Sequence, residues 1–149
     1  MINTFKATGE WKGGLRIDTQ VRNFTLSFDE PPSLGGEDSA CNPVEGVLAS
    51  LAGCLGIVSR VVAQEKNLPI EKIEIEVEGD LDPRGFMGQY DQVRPGLLAI
   101  RYQVKVNGDL SDEELKEFEE EVDRRCPVSD TLKNGTKVEG RVTLEQSTA

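Results

Sequence analysis

Apolar and polar residues alternate with period two in several stretches of this chain. Leu15 and Ile17 alternate with Arg16 and Asp18, and Phe24, Leu26 and Phe28 alternate with Thr25, Ser27 and Asp29. Ile73, Ile75 and Val77 alternate with Lys72, Glu74, Glu76 and Glu78. Leu98, Ile100, Tyr102, Val104 and Val106 alternate with Arg101, Gln103 and Lys105. Such spacing puts one face of a strand on a core. The outer face of the third stretch is mostly acidic and that of the fourth mostly basic, which predicts antiparallel neighbours. Val138, Val142 and Leu144 predict a last strand. Turns are expected at Lys12-Gly13-Gly14 and Arg22-Asn23, and a loop over residues 31–39.

Helical spacing replaces period two in three places. Asn42, Pro43 and Glu45 form a capping-box start, and the helix that follows is expected to end at Glu65 or Lys66. Nine of the twelve residues from Val47 to Val58 are apolar, and the others are Ser50, Gly53 and Gly56. A helix apolar all round is expected to be buried on all sides. Its small residues would let another backbone approach. A second helix opens at Ser111, with Glu114 completing its capping box and Leu115, Phe118 and Val122 as its buried stripe. Pro127 starts a short third helix closed by Asn134-Gly135. The order βββ-α-ββ-α-α-β is that of an α+β domain. Residues 80–96 form a long loop, of a length that is often functional.

Composition narrows the chemistry. A chain of 149 residues favours a single domain and is expected to bury roughly 68–70% of its unfolded surface. The net charge of −10 argues against nucleic-acid and anionic-membrane partners. The uncharged stretch 46–59 is 14 residues long, short of the roughly 20 that span a bilayer. The N-terminus carries no apolar signal core, so the three cysteines read as reduced cytoplasmic thiols. The absence of histidine excludes Ser-His-Asp, Cys-His and His-zinc chemistry. Zinc held by the three cysteines alone fits poorly, because paired CxxC spacing is missing. No metal or other cofactor is expected.

Cys54 sits in the middle of the apolar helix, where a free cysteine is most simply a packing residue. Cys126 precedes Pro127, at the expected cap of the short helix, with Arg124 and Arg125 before it. A helix N-terminus and nearby cations lower a thiol pKa, so local electrostatics favour Cys126 as the more acidic thiol. Cys41 precedes the capping Asn42 and reads as a loop residue or a third redox thiol.

The run from Asn42 to Cys54 (Asn-Pro-Val-Glu-Gly-Val-Leu-Ala-Ser-Leu-Ala-Gly-Cys) resembles the signature helix of the OsmC/Ohr hydroperoxide-reductase family, in its OsmC-like branch. Cys126-Pro127-Val128-Ser129-Asp130-Thr131-Leu132 resembles that family's second cysteine motif. The Leu34-Gly35-Gly36 loop and the strand order agree, so the resemblance spans nearly the whole chain. It implies an intertwined homodimer and a thiol peroxidase acting on organic hydroperoxides. Cys54 would attack the O–O bond and become a sulfenic acid, Cys126 would resolve it as a disulfide, and a small dithiol or lipoyl reductant would recycle the pair. It also implies a site arginine, with Arg16 the candidate and Lys12 and Arg22 the alternatives, and a glutamate that orients it, here Glu45.

One departure matters. In the Ohr branch the glutamate follows Asn-Pro directly, where this chain has Val44. Glu45 can therefore be catalytic or only a helix cap. The departure favours the rival reading, a non-enzymatic redox or ligand-binding dimer of the same fold. Nine residues on one helix are about 13.5 Å of rise and about 180° of rotation, so Glu45 and Cys54 serve one site only across two chains. Phe86, Met87 and Tyr90 in the long loop are candidates to line an apolar substrate pocket.

Overall fold

The computed structural model describes residues 1–89 and 91–146. Strands β1 (Thr8–Trp11), β2 (Ile17–Val21) and β3 (Phe24–Phe28) form an antiparallel meander. Gly13 and Gly14 turn the first hairpin with positive φ, and Arg22 adopts the left-handed region in the second. Helix α1 (Pro43–Glu65) follows, with its capping box formed by Asn42 and Glu45. Then come β4 (Ile70–Leu81), the short α2 (Pro83–Phe86), β5 (Leu97–Gly108), α3 (Asp112–Arg125) and α4 (Pro127–Asn134). β4 and β5 pair antiparallel as a separate two-stranded sheet, with Glu78 and Asp80 on Arg101 and Glu76 on Lys105. The α+β class and the order of elements through α4 follow the sequence pattern, with α2 as a short addition inside the long loop.

The core lies where α1 meets β4, α3 and α4. Leu51, Leu55, Val62 and Ala63 on α1 close on Phe118, Val122 and Cys126, with Ile75, Val77, Val104 and Val106 packed against them. Gly46 is required by close approach, since a Cβ there would stand 2.7 Å from the Phe28 ring. Ser59 is fully buried in the same stripe, and its hydroxyl has no hydrogen-bond partner among the described residues. Removing an unsatisfied buried hydroxyl relieves its desolvation penalty. Ser59→Ala should therefore raise the unfolding free energy by about 1 kcal/mol in urea titration. A loss of stability would show that the hydroxyl is bonded.

Four expectations need correction. First, α1 is buried along one stripe, not all round. Its other side, with Val47, Ser50, Gly53, Ile57 and Val61, is open, and Ile57 is 69% exposed. By length and a mean hydropathy of 1.8 over 18 residues α1 could cross a membrane, a test that core helices also pass. Second, residues 136–146 form no strand. Val138, Val142 and Leu144 are almost fully exposed, because the described chain offers them no strand to pair with. Third, Leu98 and Leu115 are exposed. A register shift pairs Asp80 with Ala99 and Leu81 with Leu97, which leaves Leu98 unpaired, while Leu115 lies at the rim of the α3 stripe.

The fourth correction concerns the total surface. The single chain exposes 11683 Å². Folded monomers of its 16.4 kDa expose roughly 7,500 Å², so it buries only about half of its unfolded surface. The apolar face of the meander contributes to the excess, with Trp11, Phe24 and Leu26 about half exposed or more.

Candidate functional site

Cys54 stands midway along α1, next to the core stripe and partly accessible. Cys126 ends α3 and caps α4, where its sulfur accepts the Ser129 backbone N–H at 3.5 Å. The α1–α4 packing brings the two together. The Cys126 thiol donates to the Cys54 sulfur at 3.1 Å, and both are free thiols, as is the exposed Cys41. A disulfide needs about 2.05 Å between sulfurs, so only a small shift separates the pair from a bond.

The local electrostatic expectation for Cys126 is overturned. Its thiol pKa is pushed up, first by burial and then by the neighbouring Cys54. The N–H groups of α4 act in the opposite sense, and burial outweighs them. Arg124 and Arg125 do not help either. Arg124 pairs with Glu121, and Arg125 makes a bidentate pair with Glu65 at 2.6 and 3.2 Å.

The candidate cations lie in the meander. Arg16 donates from Nε to Asp18, from Nη1 to Ser39 and from Nη2 to Ser27, each at 3.0 Å. Ser39 in turn donates to Asp29, which also accepts N–H groups of Glu30, Glu37 and Ser39. These bonds, that of the Ser39 hydroxyl first, hold the Asp29 carboxyl down at about 2. Asp18 is likewise lowered, by Ser27 first and then by Arg16. Lys12 pairs with Glu10, and Arg22 lies 5.0 Å from the centre of the Phe24 ring. Glu45 accepts the Asn42 N–H at 2.9 Å, as the capping box requires. The described chain thus brings Cys54 and Cys126 together and holds Arg16 and Glu45 elsewhere, each with its own partners.

A groove of about 280 Å³ opens beside Ser129, lined by Leu51, Ile100, Tyr102, Leu132 and Lys133 among others. A second groove, of about 320 Å³, shares Arg94, Leu97, Ile100 and Leu132 with it. Phe86 and Met87 are exposed at the end of α2 and line neither, and Tyr90 lies outside the described residues. Sequence reasoning missed Asp18 as the partner of Arg16, although period two puts residues 16 and 18 on one face. The lining of the grooves carries no local signal, since tertiary packing assembles it.

A family model described as OsmC-like protein matches residues 36–140, which hold all three cysteines. The chain belongs to the OsmC-like family. It is 29% identical over 131 residues to a protein named hydroperoxide reductase from Mycoplasma genitalium, covering 86% of this chain and 87% of that one. It is also 29% identical to an uncharacterized protein of Haloferax volcanii, over 81% of each. Among solved structures, an OsmC-like protein from Mycoplasma pneumoniae superposes with a TM-score of 0.75 at 23% identity, over 89% of both chains. An organic hydroperoxide resistance protein from Legionella pneumophila gives 0.68 at 22% identity, over 91% of this chain and 93% of that one. For this OsmC-like chain, the structural likeness extends to the N-terminal meander that the family model leaves out.

Proposed function

We infer that this OsmC-like protein is a homodimeric thiol peroxidase that reduces organic hydroperoxides to alcohols. The observation that carries the reading is the pair of free thiols 3.1 Å apart, one partly accessible and one buried. The Cys54 thiolate attacks the O–O bond. One oxygen stays on sulfur as sulfenic acid, and the other leaves as an alkoxide that takes a proton. The Cys126 sulfur then bonds to Cys54, the S–O bond breaks and water leaves. A dithiol, of small-molecule or lipoyl type, reduces the disulfide and becomes a disulfide itself. The burial that raises the Cys126 pKa supports the order of roles, because the resolving thiol stays protonated until Cys54 has reacted.

A second copy supplies what the single chain lacks. The excess surface, the open side of α1 and the unpaired segment 136–146 all support an obligate, intertwined homodimer. Arg16 with its Asp18 partner would then reach a Cys54 across the interface, and Glu45 would act on the partner's site. Phe86, Met87 and Tyr90 would line the apolar wall of that shared site. We place the reaction in the cytoplasm, where reductants keep such thiols free. One observation favours the rival, non-enzymatic redox dimer. Three of the five N–H donors of Arg16 are already held by Asp18, Ser27 and Ser39, which fixes its orientation within its own chain.

The test is a thiol count and intact mass after one equivalent of cumene hydroperoxide, with hydrogen peroxide in parallel. Rapid loss of two thiols per chain, with Cys41 still free, supports the peroxidase. Reduced protein that keeps all three thiols would leave the redox-structural reading.

A further inference from the structure

Cys126 is the elbow between α3 and α4, ending one helix and capping the next. Its position therefore depends on the angle between them. Lys133 on α4 pairs with Asp123 on α3, so one ion pair straddles the elbow. The same Asp123 oxygen accepts the Tyr102 hydroxyl at 3.2 Å, which ties the elbow to β5. Asp123 is held below the usual carboxylate range, by Lys133 first. Tyr102 is pushed up to about 12 by burial and then by Asp123, so its hydroxyl stays a donor. An exposed ion pair alone is a weak tie. Here one carboxylate joins three elements around the buried thiol, and the hydrogen bonds of the two sulfurs go to each other and to the Ser129 N–H, not to these three residues.

The geometry points to Asp123, Lys133 and Tyr102 as positioning residues: a latch that fixes the α3–α4 elbow and holds Cys126 within reach of Cys54. This rests on the reading that the two cysteines form a reversible disulfide. The latch raises the effective concentration of one thiol at the other, as any tether of matched geometry does. Opening it weakens the disulfide that follows the first oxidation of Cys54.

The experiment is a redox titration of the full chain in glutathione buffers, with no peroxide present, so that it is independent of peroxidase activity. Lys133→Met and Asp123→Ala should lower the Cys54–Cys126 disulfide equilibrium constant about five- to tenfold, where tenfold is about 30 mV. Tyr102→Phe should shift it less, in the same direction. Lys133→Arg should behave as wild type, and the swap of Asp123→Lys with Lys133→Asp should recover most of the loss. Urea midpoints on the reduced proteins separate positioning from general destabilisation. Equilibrium constants equal to wild type in Lys133→Met and Asp123→Ala would overturn the latch alone. A wild-type chain that forms no disulfide at any glutathione ratio would overturn both the latch and the reading beneath it.

Discussion

Cys54→Ser should lower cumene hydroperoxide turnover by about 10³-fold or more, because no other group in the pair can accept the oxygen at that position. Cys126→Ser should behave differently. Its first oxidation should proceed at the wild-type rate, and the sulfenic acid should then persist. With excess peroxide it should advance to the irreversible sulfinic acid. Mass spectrometry distinguishes the two variants: Cys54→Ser gains no oxygen on the turnover timescale, while Cys126→Ser gains one and then two. The physical reason for the asymmetry is burial. Cys126 is fully buried with its pKa pushed up, whereas Cys54 is partly open to a substrate. A Cys54→Ser protein that still oxidised rapidly at Cys126 would reverse the roles. It would require peroxide to reach a closed core position, and so a displacement of α4.

The fold was legible wherever the signal was local. Asn42 with Glu45, and Ser111 with Glu114, make both capping boxes as their spacing predicts. The charge pattern of β4 and β5 predicted their pairing, and Glu78, Asp80 and Arg101 meet there. Cys126 was correctly placed at a helix cap, yet its acidity was misjudged. Sequence shows the helix start but not the Phe118, Val122 and Leu55 that bury the sulfur with it. The latch partners lie on three elements, and Tyr102 and Asp123 are 21 residues apart. Nothing local marks them. The apolar character of α1 was legible as burial on every side, but sequence does not say which chain covers each side. The segment around Val142 was legible as a strand by its alternation, but a strand needs a neighbour, and the described chain leaves those backbone groups unpaired.

Ile57→Asp separates a monomer from an obligate dimer more sharply than any other single change. In an isolated chain Ile57 is 69% exposed, and a polar replacement there should alter stability by no more than about 0.5 kcal/mol. In a dimer that covers the open side of α1, the same change buries an unpaired carboxylate. That costs several kcal/mol, or on the order of 10³-fold or more in the dimer dissociation constant. Sedimentation should therefore show wild type at twice the chain mass and Ile57→Asp at the chain mass. Melting of wild type should depend on protein concentration, because an obligate dimer's stability depends on subunit concentration, and the variant should lose that dependence. The excess of about 4,000 Å² per chain, about 8,000 Å² for two, is more than enough surface for an obligate interface, which takes from about 2,000 to 5,000 Å² or more over both partners. If Ile57→Asp also abolishes peroxide turnover while the two thiols still form a disulfide in glutathione buffer, the chemistry divides cleanly. The disulfide belongs to one chain, where Cys54 and Cys126 already touch, and activation of the attacking thiol belongs to two. Arg16, held in its own chain by Asp18, Ser27 and Ser39, is the group we propose the second subunit would bring, and Arg16→Met should then lose turnover while staying dimeric. A variant that stays dimeric would place the interface elsewhere, on the meander face of Trp11, Phe24 and Leu26.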